Sequence, residues 1–256
     1  MTPIEILFIV TFGLCFGSFA NVCIYRLPAD KTMLTRSECM YCQKPIPFYF
    51  NIPVIGFLML RGRSACCQKP LSYQYLFVEG LTAIGGLYLG LIYGVSIESV
   101  LVFFFFLSLL IIFFTDLNEY IIPNIITYSL SVIGVLTSYF SYSIFDLSLA
   151  SSLLGGLISG GILFATSKLF LLIRKKEGMG MGDVKMIAMI GFWMGLENTF
   201  LIIIASSLLG SIVGISLILS KRMDHTQFIP FGSFLSIGAI IVWDIKIYFG
   251  ASLLLL

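Results

Sequence analysis

The chain has 256 residues, of which 59% are hydrophobic and only 11% charged, and its net charge is +2. A soluble domain carries about a quarter charged residues, so this chain cannot cover itself with polar surface. Composition therefore excludes a soluble globular protein and makes the lipid bilayer the expected solvent; no nucleic-acid partner is expected.

The first apolar stretch, Ile4 to Tyr25, has about the ~20 residues needed to cross a bilayer. The residues before it, MTPIE, include no basic side chain, and the first arginine, Arg26, comes after it. That order argues against a cleaved secretory signal and for a retained anchor with an external N-terminus. Residues 26–73 then form the one sizeable polar region. Within it, SECMYCQKPIPFYFNIP and LRGRSACCQKPLSY each place a cysteine ahead of Gln-Lys-Pro and an aliphatic residue, which suggests a small duplicated hairpin. Cys39-x-x-Cys42, with Cys66 and Cys67 in the same loop, suggests zinc. Thiolates bind it tetrahedrally, and a loop of ~50 residues with little core gains stability from a staple. Cys15 and Cys23 lie in the first apolar stretch and read as packing residues.

Further apolar segments span roughly 74–95, 97–115, 121–143, 148–173, 186–197, 199–219 and 230–249. The expected fold is an all-α polytopic membrane protein with about eight transmembrane helices and a small cytoplasmic cysteine-containing loop domain after helix 1. Its parts are a first transmembrane helix (1–25), the cysteine loop domain (26–73) and a seven-helix membrane domain (74–256). The 186–197 segment is short for a full crossing unless the glycine-rich stretch before it is partly buried in protein.

Basic residues orient these segments. Arg26, Lys31, Arg36, Lys44, Arg61, Arg63 and Lys69 fall in the first connection. Arg174, Lys175, Lys176 and Lys185 flank the fifth, and Lys221 and Arg222 the seventh. The opposite connections, near 96–98, 144–147 and 198, have no Lys or Arg. Both termini are expected outside and the long loop in the cytoplasm. His225, the one histidine, reads as a solvated loop residue in KRMDHTQ.

In that layout Asp116 ends the third helix and Asp183 begins the sixth, so the two meet at the cytoplasmic edge although 67 positions apart. Ionisable groups at membrane depth are costly and mark pathways or reaction centres. Two carboxylates sharing a proton supply a general base and a general acid, the aspartic-protease arrangement. Gly180 and Gly182 would let backbone approach a substrate closely, and Pro123 interrupts helix formation where the chain re-enters the membrane. An aspartate at a helix end is also an ordinary cap, and Glu119 is a competing carboxylate in the same loop. The alternative from another class is an ion- or proton-coupled transporter using Asp116 and Asp183 as a relay. Such proteins often carry internal repeats and mid-membrane sites; the sequence has neither a repeat of the two aspartate motifs nor a central acid.

GMGD at 180–183 matches the GxGD signature of intramembrane aspartyl proteases. Combined with TDLNEYIIPN at 115–124, GSFANVCIYRLP at 17–28 and NIPVIGFLMLRG at 51–62, it gives a chain that resembles the type IV prepilin peptidases of bacterial pilus, type II secretion and competence systems. The archaeal preflagellin peptidases share the two aspartates, but the long cysteine loop fits the bacterial type better.

The resemblance implies a multi-pass protein of the bacterial inner membrane, with both termini periplasmic and the active site facing the cytoplasm. It implies cleavage of prepilin or pseudopilin precursors after a glycine, between a basic leader and a hydrophobic helix, with Asp116 and Asp183 as the catalytic pair. It further implies N-methylation of the new amino terminus with S-adenosylmethionine. No glycine-rich nucleotide-binding fingerprint follows a strand, so spacing assigns no site to the methyl donor. Glu79, in SYQYLFVEGLTA, matches an acidic position of the family; it serves either activity, orients the loop, or pairs with a loop arginine. FIPFGSF at 228–234 resembles a C-terminal proline-glycine motif and reads as a docking contributor or ordinary helix initiation. Many family members carry two CxxC pairs, whereas Ser64 and Cys67 stand at the second pair here, with Cys66 out of phase. Three outcomes are open: three thiolates plus another ligand, Cys66 as the replacement, or no metal.

Overall fold

The computed structural model describes residues 1–33, 35–143, 145–176, 178–221 and 229–253, of which 248–253 by backbone alone; Arg222 and His225 lie outside the described residues. Among the described residues the structure is helical, without a strand. Helix α1 (Pro3–Arg26) opens on a capping box, in which the Glu5 N–H donates to Thr2 Oγ1 at 3.3 Å and the Thr2 N–H donates to Glu5 Oε2 at 2.8 Å. A 3-10 turn (Phe48–Asn51) and α2 (Ile55–Met59) follow in the polar loop. Then come α3 (Gln74–Tyr93), α4 (Ile97–Glu119), α5 (Asn124–Tyr139), α6 (Leu149–Arg174), α7 (Met181–Leu219) and α8 (Phe231–Leu253). Among the described residues, five helices, α1, α3, α4, α6 and α7, are long and apolar enough to cross a membrane.

The element boundaries depart from the hydropathy reading for identifiable reasons. Helix α4 continues to Glu119, so Asp116 lies about a turn inside it rather than at its end. Pro123 caps α5 at φ −65°, which shortens the expected 121–143 segment to 124–139. The expected segments 186–197 and 199–219 are the two arms of α7, which begins earlier, at Met181, and is broken at Gly195 (φ 76°, ψ 173°).

Gly195 has to turn the chain. In a straight helix Gly182 and Gly214 would stand about 48 Å apart. Yet Gly182 lies against Ile122, Gly232 lies against the same Ile122, and Gly214 lies against Ile229. Both arms therefore return to one level, and only a residue without Cβ adopts this backbone freely.

The chain divides into two compact units, Met1–Ile111 and Ile112–Leu256, with the division inside α4. In the first, α1 and α3 approach through small residues: Gly13 against the Ala83 backbone and Gly17 against Thr82. Phe12 and Phe16 meet Phe103 and Phe104 with ring centroids 5.0–6.5 Å apart. In the second, Gly155 and Gly191 bring α6 and α7 into backbone contact, and Gly160 faces Ala188. Trp193 ties α7 to α5, its Nε1 donating to the Leu130 carbonyl at 2.7 Å. Lipid tails give helices no hydrophobic reason to associate, so close backbone approach has to supply the cohesion.

Gly195→Ala should lower the thermal midpoint of the detergent-solubilised protein by several degrees, because the backbone strain costs about 1–3 kcal/mol. Gly161→Ala, at a helical glycine with nothing within 4 Å, should leave the midpoint unchanged. Equal midpoints for the two variants in differential scanning fluorimetry would refute the turn at Gly195.

Candidate active site and cysteine cluster

A helix start leaves its first N–H groups without intrahelical acceptors. At the start of α8, Gly232 and Ser233 are such residues, and the carboxylate that meets them comes from α4. The Ser233 N–H donates to Asp116 Oδ2 at 2.7 Å, and the Gly232 N–H also points to this carboxylate. The Ser233 hydroxyl lies 3.2 Å from Asp116 Oδ2 and 2.9 Å from the Phe113 carbonyl, and its one proton serves either oxygen. Asp116 is 5% exposed and Ser233 2%.

Asp183 occupies the first turn of α7, where a carboxylate complements the positive helix end. It reaches back to the Gly180 N–H, as the acidic member of a capping box does. Asp183 is half-buried, and Asp116 lies within its electrostatic range. The structure thus brings the two expected aspartates together, and both also act as caps.

Ile122 explains why these loops meet. A methyl on Gly182 would come within 3.0 Å of its Cβ, and one on Gly232 within 2.6 Å of its Cδ1. The isoleucine sits between the starts of α7 and α8, and a side chain at either glycine would have to displace it. A methyl on Gly180 would approach Asp183 Oδ2 at 3.3 Å. Lys185 latches α7 to the start of α5, donating to Asn124 Oδ1 at 2.8 Å. Glu119 is exposed.

The cysteine loop contains the duplicated hairpin that its two QKP stretches suggest. In the first copy the Cys39 N–H donates to the Lys44 carbonyl (2.9 Å) and the Gln43 N–H to the Cys39 carbonyl (2.9 Å). In the second, Ser64 bonds Lys69 (2.8 Å) and Gln68 bonds Ser64 (3.0 Å) in the same way. Gln43 and Gln68 share φ 57°. Ser64 is therefore the structural counterpart of Cys39, and Cys67 that of Cys42. The sulfur atoms of Cys39, Cys42, Cys66 and Cys67 all lie within 4.8 Å of one another. A tetrahedral zinc with bonds of about 2.3 Å needs sulfurs about 3.8 Å apart; Cys39 and Cys67 are at 3.7 Å, Cys42 and Cys66 at 2.9 Å. Burial opposes ionisation of Cys39, but hydrogen bonds from Ser64 and from the Cys42 and Tyr41 backbone outweigh it and bring the thiol to about 6. The hydrogen bond with Cys66 pushes Cys42 up to about 11.

Glu79 does not pair with a loop arginine. Its Oε2 accepts the Val54 N–H at 2.7 Å, with the Ser18 hydroxyl beside it. Arg26 instead donates to the carbonyls of Thr32, Met33, Thr35 and Arg36 at 2.9–3.4 Å. Glu79 is remote from the aspartates in sequence and belongs to the first unit, whereas Asp116 and Asp183 belong to the second. Ser233 is the site residue that sequence reasoning missed. Its one signal is position, three residues past Pro230 where a helix start needs partners.

Two family profiles match the chain: the bacterial peptidase A24 N-terminal domain over residues 11–93 and the type IV leader peptidase family over residues 103–215. A prepilin leader peptidase/N-methyltransferase of Aeromonas hydrophila is 31% identical over 252 residues, covering 89% of this chain and 86% of the relative. Those of Pseudomonas putida and Dichelobacter nodosus are 30% and 32% identical, over 92% and 93% of this chain and 90% of each relative. The chain belongs to the type IV leader peptidase family. No solved structure matches it. Both profiles fall within regions that carry the features above: the first contains the cysteine loop and Glu79, the second both aspartates.

Proposed function

We propose that this chain is a bifunctional enzyme that removes the leader from prepilin or pseudopilin precursors and N-methylates the amino terminus so exposed. The activity named for its relatives supports both steps. The observation that carries the first is the meeting of Asp116 and Asp183 beside the start of α8. Asp116, which receives donors from Ser233 and Gly232, is the carboxylate suited to take a proton from water. Asp183 then carries the proton that polarises the scissile carbonyl and later passes to the leaving amine. Gly180 and Gly182 keep the approach to this pair open, and Ser233 is a positioning residue. A relay for transport would use the same acids, but it has no support among the relatives, which are named for peptidase and methyltransferase activities.

The chain crosses the inner membrane eight times: α1, α3, α4, α5, α6, the two arms of α7, and α8. The reversal at Gly195 supports the count. The basic residues of the first, fifth and seventh connections support periplasmic termini and a cytoplasmic active site. Residues 1–25 form the anchor, 26–73 the cysteine loop domain and 74–256 the protease membrane domain. Zinc in that loop would be held by Cys39, Cys42 and Cys67, with Cys66 as the fourth thiolate in place of Ser64. Cleavage follows a glycine of the precursor on the cytoplasmic side, and methylation uses S-adenosylmethionine.

Asp116→Asn and Asp183→Asn should each reduce leader cleavage of a co-expressed prepilin by about a thousandfold or more, with the protein still inserted. Substantial cleavage by either variant, read from the N-terminal mass of the pilin, would sink the pair. Ser233→Ala should slow cleavage roughly tenfold, since it removes one hydrogen bond to a charged group, and Ser233→Thr should restore it; an Ala variant with wild-type kcat argues against the positioning role. Purified protein should contain about one zinc per chain. Cys66→Ser should lose the metal, and Ser64→Cys in that background should regain it. Metal-free wild-type protein with unaltered thermal stability in Cys39→Ser or Cys42→Ser would dismiss the zinc site.

A further inference from the structure

Within the first unit, α1, the cysteine loop and the start of α3 surround a cavity of about 470 Å³, a size typical of small-molecule sites. Its lining joins the Glu79 carboxylate to the aromatic rings of Tyr25, Phe50, Phe57 and Tyr75. Glu79 is 6% exposed, and among the described residues no ion pair neutralises it. A buried carboxylate held by neutral donors is a site for positive charge, and aromatic faces add to the attraction for a cation. Of the two cations in the lining, Arg26 is taken up by four backbone carbonyls and Lys31 lies over the Tyr25 ring at 4.9 Å, so neither is paired with Glu79.

The backbone shows that Glu79 is held on purpose. Its donor, Val54, is a β-branched residue at φ 61°, ψ −50°, a conformation that costs on the order of 1–3 kcal/mol. That strain aims the Val54 N–H at Glu79 Oε2.

We propose that this cavity binds the sulfonium methyl donor, S-adenosylmethionine, with Glu79 facing its positive charge and the aromatic walls accepting the flat adenine. The inference rests on the transferase activity proposed above. It accounts for a donor site in a chain whose described residues hold no strand to carry a nucleotide-binding turn. In the reaction, the amine nitrogen of the cleaved product bonds to the methyl carbon. The carbon–sulfur bond breaks with its electron pair on sulfur, leaving a neutral thioether, and the nitrogen gives up one proton, for which Glu79 is the acceptor the cavity supplies. The electrostatic role separates this donor from its demethylated product, which has no sulfonium charge.

The test uses the full chain in detergent micelles, titrated with S-adenosylmethionine and, separately, with S-adenosylhomocysteine by calorimetry. Glu79→Gln keeps an acceptor for Val54 but removes the charge. It should weaken the sulfonium ligand about tenfold and the neutral thioether less. Asn51→Trp, at an exposed lining position, should weaken both by filling the cavity. Asp183→Asn should bind both as wild type does, and monodisperse elution certifies the fold of each variant. Ultraviolet crosslinking of methyl-tritiated donor should label peptides within residues 18–79. Unchanged affinities in both cavity variants, or label confined to residues 112–256, would overturn the site while leaving the transferase reading intact. A wild-type protein that neither binds the donor nor methylates the cleaved pilin would overturn both.

Discussion

The second unit is organised around one contact, the Asp116 carboxylate seated on the first turn of α8. Backbone N–H groups at a helix start and a carboxylate at membrane depth are each costly when water is scarce. Each satisfies the other here, and the positive end of α8 adds to the match. The contact fixes where α8 begins, what α4 faces in its last turn, and where a charge stands. Asp183 is fixed by the same logic on its own helix, through the Gly180 N–H. Both acids thus double as helix caps, and the helix starts they meet set their orientation.

Rigidity at that end depends on packing elsewhere in the unit. Helix α7 carries Asp183, and its first arm is clamped to α6 through Gly155, Gly191, Gly160 and Ala188, with the Ser152 hydroxyl donating to the Phe192 carbonyl at 2.6 Å. In lipid this close approach replaces the hydrophobic cohesion of a soluble core. Gly195 then returns the second arm toward α8, where Gly238 meets Ser206. The glycines of the sequence are thus spent on helix contact more than on flexibility.

Much of this was legible in the sequence. Apolar runs marked the helices because the bilayer imposes a length, and GMGD with TDLNEYIIPN marked the aspartates. Their meeting could be argued from topology alone. Hydropathy already split 186–197 from 199–219; what it could not show was how the chain turns, through one left-handed glycine, Gly195, inside a helical run that begins earlier, at Met181. Nor could it show Ser233, whose importance lies in a partner 117 positions away. The expected Glu79–arginine pair failed for a similar reason. Composition puts an acid and Arg26 near one loop, but four carbonyls of residues 32–36 outcompete the carboxylate for the guanidinium.

The cysteine cluster and the cavity beside it are one physical problem. Cys39, Ser64 and Cys66 belong to the cavity's lining as well as to the sulfur cluster. The surrounding loop has almost no regular structure: one 3-10 turn, a five-residue helix and two isolated bridges. Its shape cannot come from a core, so it must come from cross-links: Arg26 on the 32–36 carbonyls, Glu79 on Val54, and the thiols on one another. Loss of any of these would free a wall of the cavity before it disturbed α1 or α3, which are joined by their own glycine contacts. Ser64, the counterpart of Cys39 in the second hairpin, bonds Cys39 at 3.1 Å, and the neighbouring Cys66 sulfur reaches Cys42, so the two hairpins are joined side by side.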